Sequence, residues 1–199
     1  MDIQRDYLES LARLFPQQGE WREENYFALP ESNRITELSE GELIVHPTPT
    51  FAHQEAVSEL ASALRTYAKT NDLGKAISAP FDVRLWEDKI RQPDVLFIRT
   101  ENFPLIVGAY LDGAPDWVAE VISPSSRVID EVDKLADYAQ AGVPEYWLVD
   151  LDARTIRVYA LADAEYALAG TYGAGETARS ETLGGFEIAV DDVIGGPND

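Results

Sequence analysis

A single carboxylate inside a run that otherwise reads as buried strand constrains this chain more than any other feature. Trp117-Val118-Ala119-Glu120-Val121-Ile122 is apolar except for Glu120. Desolvating an unpaired carboxylate costs several kcal/mol, so a fold that buries this strand must set something opposite it. Ser123-Pro124-Ser125-Ser126 then breaks the pattern. A helix is expected over 128–141, stopped by Gly142 and carrying Asp130, Lys134 and Tyr138 along one face. Upstream, Arg91-Gln92-Pro93-Asp94-Val95-Leu96-Phe97-Ile98 sets a second acid at the entry to a second apolar run. Alternation along a strand sends Val118, Glu120 and Ile122 to one face and Trp117, Ala119 and Val121 to the other. If the two runs are neighbouring strands, Asp94 and Glu120 converge on one site.

The chemistry open to such a pair is narrow. The chain has no cysteine, which excludes thiolate metal sites and leaves carboxylate, His or carbonyl ligands. Two carboxylates, a backbone carbonyl and waters form the hard-oxygen shell that Mg²⁺ accepts at about 2.0–2.1 Å. A lysine beside that shell can stabilise charge developing on a phosphoryl oxygen or orient the attacking water. Metal-assisted phosphodiester hydrolysis follows as the expected reaction class.

The rest of the chain reads as one α/β domain over 1–194. It opens with an N-terminal arm (1–33) and ends in a loose tail (195–199). Residues 7–15 are expected to be amphipathic. The stretch 19–30, with Trp21, Tyr26 and Phe27, reads as a docking arm that adds core. A hairpin is expected over 34–45 around Ser39-Glu40-Gly41, and an amphipathic helix over 51–69. Strands are expected over 76–86, 92–98, 117–122, 145–151 and 155–161. An irregular loop fills 100–115, the stretch after 161 is Ala/Gly-rich, and a last pairing segment lies at 186–190. No charge-free apolar run approaches the ~20 residues that span a bilayer, and 1–15 lacks the apolar core of a signal peptide. The expectation is a soluble, cytoplasmic protein.

The quoted motifs, together with Ala141-Gly142-Val143-Pro144-Glu145-Tyr146-Trp147-Leu148-Val149-Asp150 and the upstream Glu37, Gly41-Glu42-Leu43 and His53, resemble the Uma-type endonuclease family of the PD-(D/E)XK superfamily. The resemblance runs over roughly residues 20–160 and implies a restriction-endonuclease-like core. That core is a mixed central sheet flanked by helices, in the order helix-strand-strand-strand-helix-strand. The resemblance also implies Asp94 and Glu120 as ligands of Mg²⁺ (or Mn²⁺), with the Val121 carbonyl, and Lys134 as the catalytic charge-stabilising group. Glu37 and His53 are implied as accessory groups at the mouth of the site. One departure stands out: where the superfamily pattern has Lys two residues after the acid, this chain has Ile122, and the lysine has moved to the next helix as Lys134.

Each residue also has a plainer role open to it. Asp94 can be a strand-entry acid, Lys134 a partner of Asp130, His53 a capping or packing group and Glu37 a displayed hairpin acid. Arg91 and Arg127 flank the acidic motifs, where surface pairing accounts for them, and Tyr138 reads as packed against the sheet edge. The implied substrate is DNA, worked on by a homodimer. A formal net charge of −20, from 36 acids and 16 bases, opposes that substrate, because phosphate binding draws on Lys and Arg. A catalytically weak or inactive binding or assembly module is therefore the rival expectation.

Overall fold

The computed structural model describes residues 15–30, 34–123 and 127–195. Most of the segment expected to be amphipathic at 7–15, the break at 124–126 and the tail at 196–199 lie outside the described residues. Helix α1 (Glu23–Phe27) is followed by the hairpin β1 (Thr36–Ser39) and β2 (Glu42–Val45). The hairpin turn puts Glu40 and Gly41 at φ 53° and 77°, the left-handed pair that a two-residue hairpin turn requires. A Cβ at Gly41 would lie 2.6 Å from the Gly19 carbonyl oxygen, so the turn also locks the N-terminal arm in place.

Helix α2 (Phe51–Thr70) is capped by the Thr50 side chain, which accepts from the His53 backbone N–H. Next come β3 (Gly74–Ser78), β4 (Asp82–Trp86), β5 (Lys89–Arg91) and β6 (Val95–Arg99). The segment 100–115, expected to be irregular, holds a 3-10 helix (Thr100–Leu105) and the short strands β7 (Ile106–Val107) and β8 (Tyr110–Asp112). Strand β9 (Trp117–Ile122) leads through a π-helical turn (Ile129–Asp133) into α3 (Lys134–Ala141), which ends at Gly142 with φ 85°. The remaining elements are β10 (Glu145–Asp150), β11 (Thr155–Ala162), β12 (Glu165–Gly173), β13 (Thr177–Arg179), β14 (Glu187–Ala189) and α4 (Val190–Ile194).

The fold is mixed α/β, with two large sheets where one was expected. The first runs β2-β1-β5-β4-β8-β7 and the second β12-β11-β10-β9-β6-β3; β13 and β14 pair separately. The strand expected over 76–86 is in fact two, β3 and β4, divided at Ala79-Pro80 and assigned to different sheets. The turn expected at Glu87-Asp88-Lys89 is tighter, because Lys89 already begins β5. The Ala/Gly-rich stretch after 161 forms the nine-residue edge strand β12. Its small residues sit on an exposed strand, where no apolar alternation is needed.

The second sheet positions the site. Its order α2-β3-β6-β9-α3-β10 follows the expected helix-strand-strand-strand-helix-strand path. Strands β9 and β10 run parallel, joined by the α3 crossover, while β6 pairs antiparallel with β9. One face packs Trp117, Ala119 and Val121 with Leu60 and Leu64 of α2. The other packs Val118 and Ile122 with Tyr138 and Tyr146. The expected alternation therefore holds, and Glu120 belongs to the face covered by α3.

Candidate active site

The register of β6 on β9 pairs Val95 with Ala119 and Leu96 with Val118. One step further, Asp94 takes the position opposite Glu120. The neighbouring of the two runs, on which convergence of the acids depended, is thus met. Both acids line a cleft of about 270 Å³, together with Val121, Asp130, Lys134 and both histidines of the chain, His46 and His53.

Lys134 Nζ is the hub. It lies 2.9 Å from Glu120 Oε2 and 3.3 Å from both Glu37 Oε1 and Asp130 Oδ1. The helix supplies this geometry directly, since Asp130 precedes Lys134 by one turn and Tyr138 follows by one turn. Tyr138 is buried as expected, and its hydroxyl donates to Glu120 Oε1 at 2.7 Å. Asp94 Oδ2 accepts from the Val121 backbone N–H at 2.8 Å and lies 3.3 Å from His53 Nε2.

Glu37 is placed differently from its expected position at the mouth. It has no exposed surface and stands behind Lys134. There it accepts from Arg91 Nη1 at 2.9 Å and from the Gln92 backbone N–H at 3.0 Å, with His46 Nε2 3.0 Å away. Arg91 is also not a surface pairing group: it is 1% exposed and bonds Asp137 of α3 as well as Glu37. Arg127 does pair near the surface, with Asp150 at 2.6 Å. Sequence reading left His46, Asp130 and Arg91 out of the site. Asp130 was signalled by its spacing from Lys134, and Arg91 by its place three residues before Asp94. His46 had no comparable signal.

Charge in this cluster is unbalanced. Burial pushes the Glu120 carboxyl well above the usual carboxylate range; Lys134 opposes this, while Asp94, Asp130 and Glu37 add to it. Burial would also raise Glu37, but Lys134, the His46 hydrogen bond and Arg91 outweigh it and hold Glu37 well below that range. Burial opposes the Lys134 charge, yet Glu120, Glu37 and Asp130 keep its pKa well above that of a free lysine. His53 is likewise raised: burial is outweighed by Asp94, the Val121 backbone and Asp130. Two buried polar atoms of residues that line the cleft, His53 Nδ1 and Gln92 Oε1, have no hydrogen-bond partner among the described residues. Among the described residues, no group of three or more His, Asp or Glu side chains closes into a metal cage.

The same fold is found in a crystal structure from Anabaena variabilis ATCC 29413, described as "a putative nuclease belonging to DUF820". It superposes with a TM-score of 0.73 at 20% identity, over 87% of this chain and 97% of that one. No curated protein matches the sequence. Residues 23–191 match the family Uma2, described as "Putative restriction endonuclease"; the chain belongs to that family.

Proposed function

We propose that the protein is a Mg²⁺-dependent endonuclease that hydrolyses phosphodiester bonds in DNA, with Mn²⁺ able to replace Mg²⁺. The observation that carries this reading is the excess of acid in one cleft. Asp94, Glu120 and Asp130 line it, Glu37 is buried behind it, and all four surround the Lys134 ammonium; burial, with the neighbouring acids, holds the Glu120 carboxyl above its ordinary range. Two carboxylates on the wall of an open cleft fit Mg²⁺, which takes one or two carboxylates and completes its shell with waters and phosphate oxygens. Asp94 and Glu120 would hold the ion with the Val121 carbonyl, leaving the rest of its shell to solvent and substrate. A bound divalent ion polarises the phosphoryl oxygen and lowers the pKa of water.

This chain's own residues do the rest. Lys134 orients on the phosphate side of Glu120 and offsets charge developing on a phosphoryl oxygen. His53 fixes Asp94 from the N-terminal turn of α2, and Tyr138 fixes Glu120 from behind. Supercoiled-plasmid nicking with Mg²⁺ or Mn²⁺ tests the reading. Glu120→Ala is expected to abolish nicking, and unchanged activity would sink the assignment. Action as a cytoplasmic homodimer, one copy per strand, belongs to the same proposal, and light scattering of the purified protein checks the dimer.

The second reading is an inactive binding or assembly module. It is favoured by one contact pattern: Lys134 and Tyr138 already engage both oxygens of Glu120. Calorimetric titration separates the two. Absence of Mg²⁺ and Mn²⁺ binding, with no difference in Asp94→Ala, favours the module.

A further inference from the structure

Glu120 and Lys134 end a buried row of alternating charges whose far members, Lys89, Asp137 and Arg91, the proposed chemistry does not use. Lys89 Nζ lies 3.1 Å from Asp137 Oδ1, and Asp137 Oδ2 accepts from Arg91 Nη2 at 2.6 Å. Arg91 Nη1 donates to Glu37 at 2.9 Å; Lys134 lies 3.3 Å from Glu37 and 2.9 Å from Glu120. All six side chains are buried. The row crosses from β5 to α3, back to β1 through Arg91, and again to α3. A single guanidinium therefore ties Glu37, which faces the Lys134 ammonium, to the helix that carries Lys134.

We infer that Arg91 is a positioning residue: by neutralising Glu37 it keeps the Lys134 ammonium on Glu120 and in the cleft. Glu37 is shared between two fixed cations, and low local dielectric makes each sensitive to loss of the other. With Arg91 gone, the uncompensated Glu37 draws Lys134 the short way back, from an acid at 2.9 Å to the one at 3.3 Å. Removing Asp137 does the reverse, since Arg91 then turns wholly to Glu37 and weakens its pull on Lys134. His46 Nε2 also lies 3.0 Å from Glu37 and is left beside it when Arg91 is removed.

The inference rests on the nuclease reading for its consequence but is tested without metal or DNA. The chain has four lysines, Lys69, Lys75, Lys89 and Lys134, so ¹⁵N spectra of their ammonium groups can be assigned by substitution. In Arg91→Gln the Lys134 signal is expected to move while Lys69 and Lys75 stay. In Glu37→Gln it also moves, and adding Arg91→Gln to Glu37→Gln moves it no further, because Arg91 acts through Glu37. An unmoved Lys134 signal in folded Arg91→Gln, or additive shifts in the double variant, overturns the inference. Should Arg91→Gln fail to fold, Asp137→Asn carries the test: its Lys134 signal is expected to shift in the direction seen in Glu37→Gln, and no shift overturns it. In plasmid cleavage the matching result is a loss of about tenfold in kcat with KM unchanged for Arg91→Gln, absent in the Glu37→Gln background. A protein whose Lys134 signal behaves as expected but which cuts nothing overturns the nuclease reading alone.

Discussion

Glu37 and Glu120 share one lysine yet sit on opposite sides of the carboxylate range, and that contrast sets two expectations for single residues. Glu37 is held low by Lys134, His46 and Arg91 against its burial. Its contribution to stability is therefore present above the pKa of the unfolded chain and lost as pH falls through the lower folded value. Glu37→Ala leaves Arg91 and Lys134 buried without it and is expected to cost about 3–5 kcal/mol, read by urea unfolding at neutral pH. Below the ordinary carboxylate pKa the gap to wild type should close. Glu120 has the opposite sign. The folded chain holds its proton to higher pH than the unfolded chain, so stability falls as pH rises from the unfolded toward the folded value. Glu120→Gln, measured in EDTA, is expected to gain in Tm over wild type as pH is raised from about 5 to about 8; a constant difference would contradict the raised pKa. Mg²⁺ should raise the Tm of wild type and not of this variant. Of the residues gathered here, Asp94 and Glu120 stood out because each interrupts or punctuates a hydrophobic pattern, and Lys134 through its helical spacing and the family resemblance. Arg91 was marked only by its place before Asp94, its partners Glu37 and Asp137 lying 54 and 46 residues away; His46 had no comparable signal, although Glu37 lies just nine residues from it.

At the scale of elements, α3 is what brings a lysine to Glu120 without the usual position two residues on. A π-helical turn at Ile129–Asp133 precedes it, such turns being frequent at functional sites. Lys134 begins the regular turns that follow and the register carries Tyr138 to the same carboxylate. The end of the helix is equally specified. Gly142 takes φ 85°, and a Cβ there would meet nothing within 4 Å, so the demand on glycine is conformational alone. Gly142→Ala is expected to cost about 1–2 kcal/mol by thermal or urea unfolding, the left-handed penalty of an L-residue; a neutral substitution would show the helix end relaxing. The sequence made this helix, its glycine stop and the flanking strands β9 and β10 readable through period and punctuation. It did not reveal that 76–86 serves two sheets. An apolar run carries no mark of which edge it will join, and the division at Ala79-Pro80 is a matter of tertiary placement.

For the molecule as a whole, electrostatics decides how it can meet a polyanion. The formal charge is −20, and much of the basic complement is already engaged by the protein's own acids: Arg22 by Asp88, Arg84 by Glu23 and Asp112, Lys89 by Asp137, Arg127 by Asp150, Arg157 by Glu131. A DNA-binding protein that neutralises phosphates with Lys and Arg loses affinity steeply as salt rises, because counterions released on binding become harder to release. On the proposed reading the long-range term is repulsive and the local attraction would come from the divalent ion and Lys134. Monovalent salt screens repulsion over a Debye length of about 8–10 Å near physiological ionic strength, while a buried ammonium and an inner-shell metal are screened far less. At saturating Mg²⁺, kcat/KM for plasmid nicking is therefore expected to rise as KCl is increased from low to physiological concentration, through association more than through kcat. A steep fall over that range would mean that a basic surface on the protein, and not the acidic cleft with its cation, governs encounter with DNA.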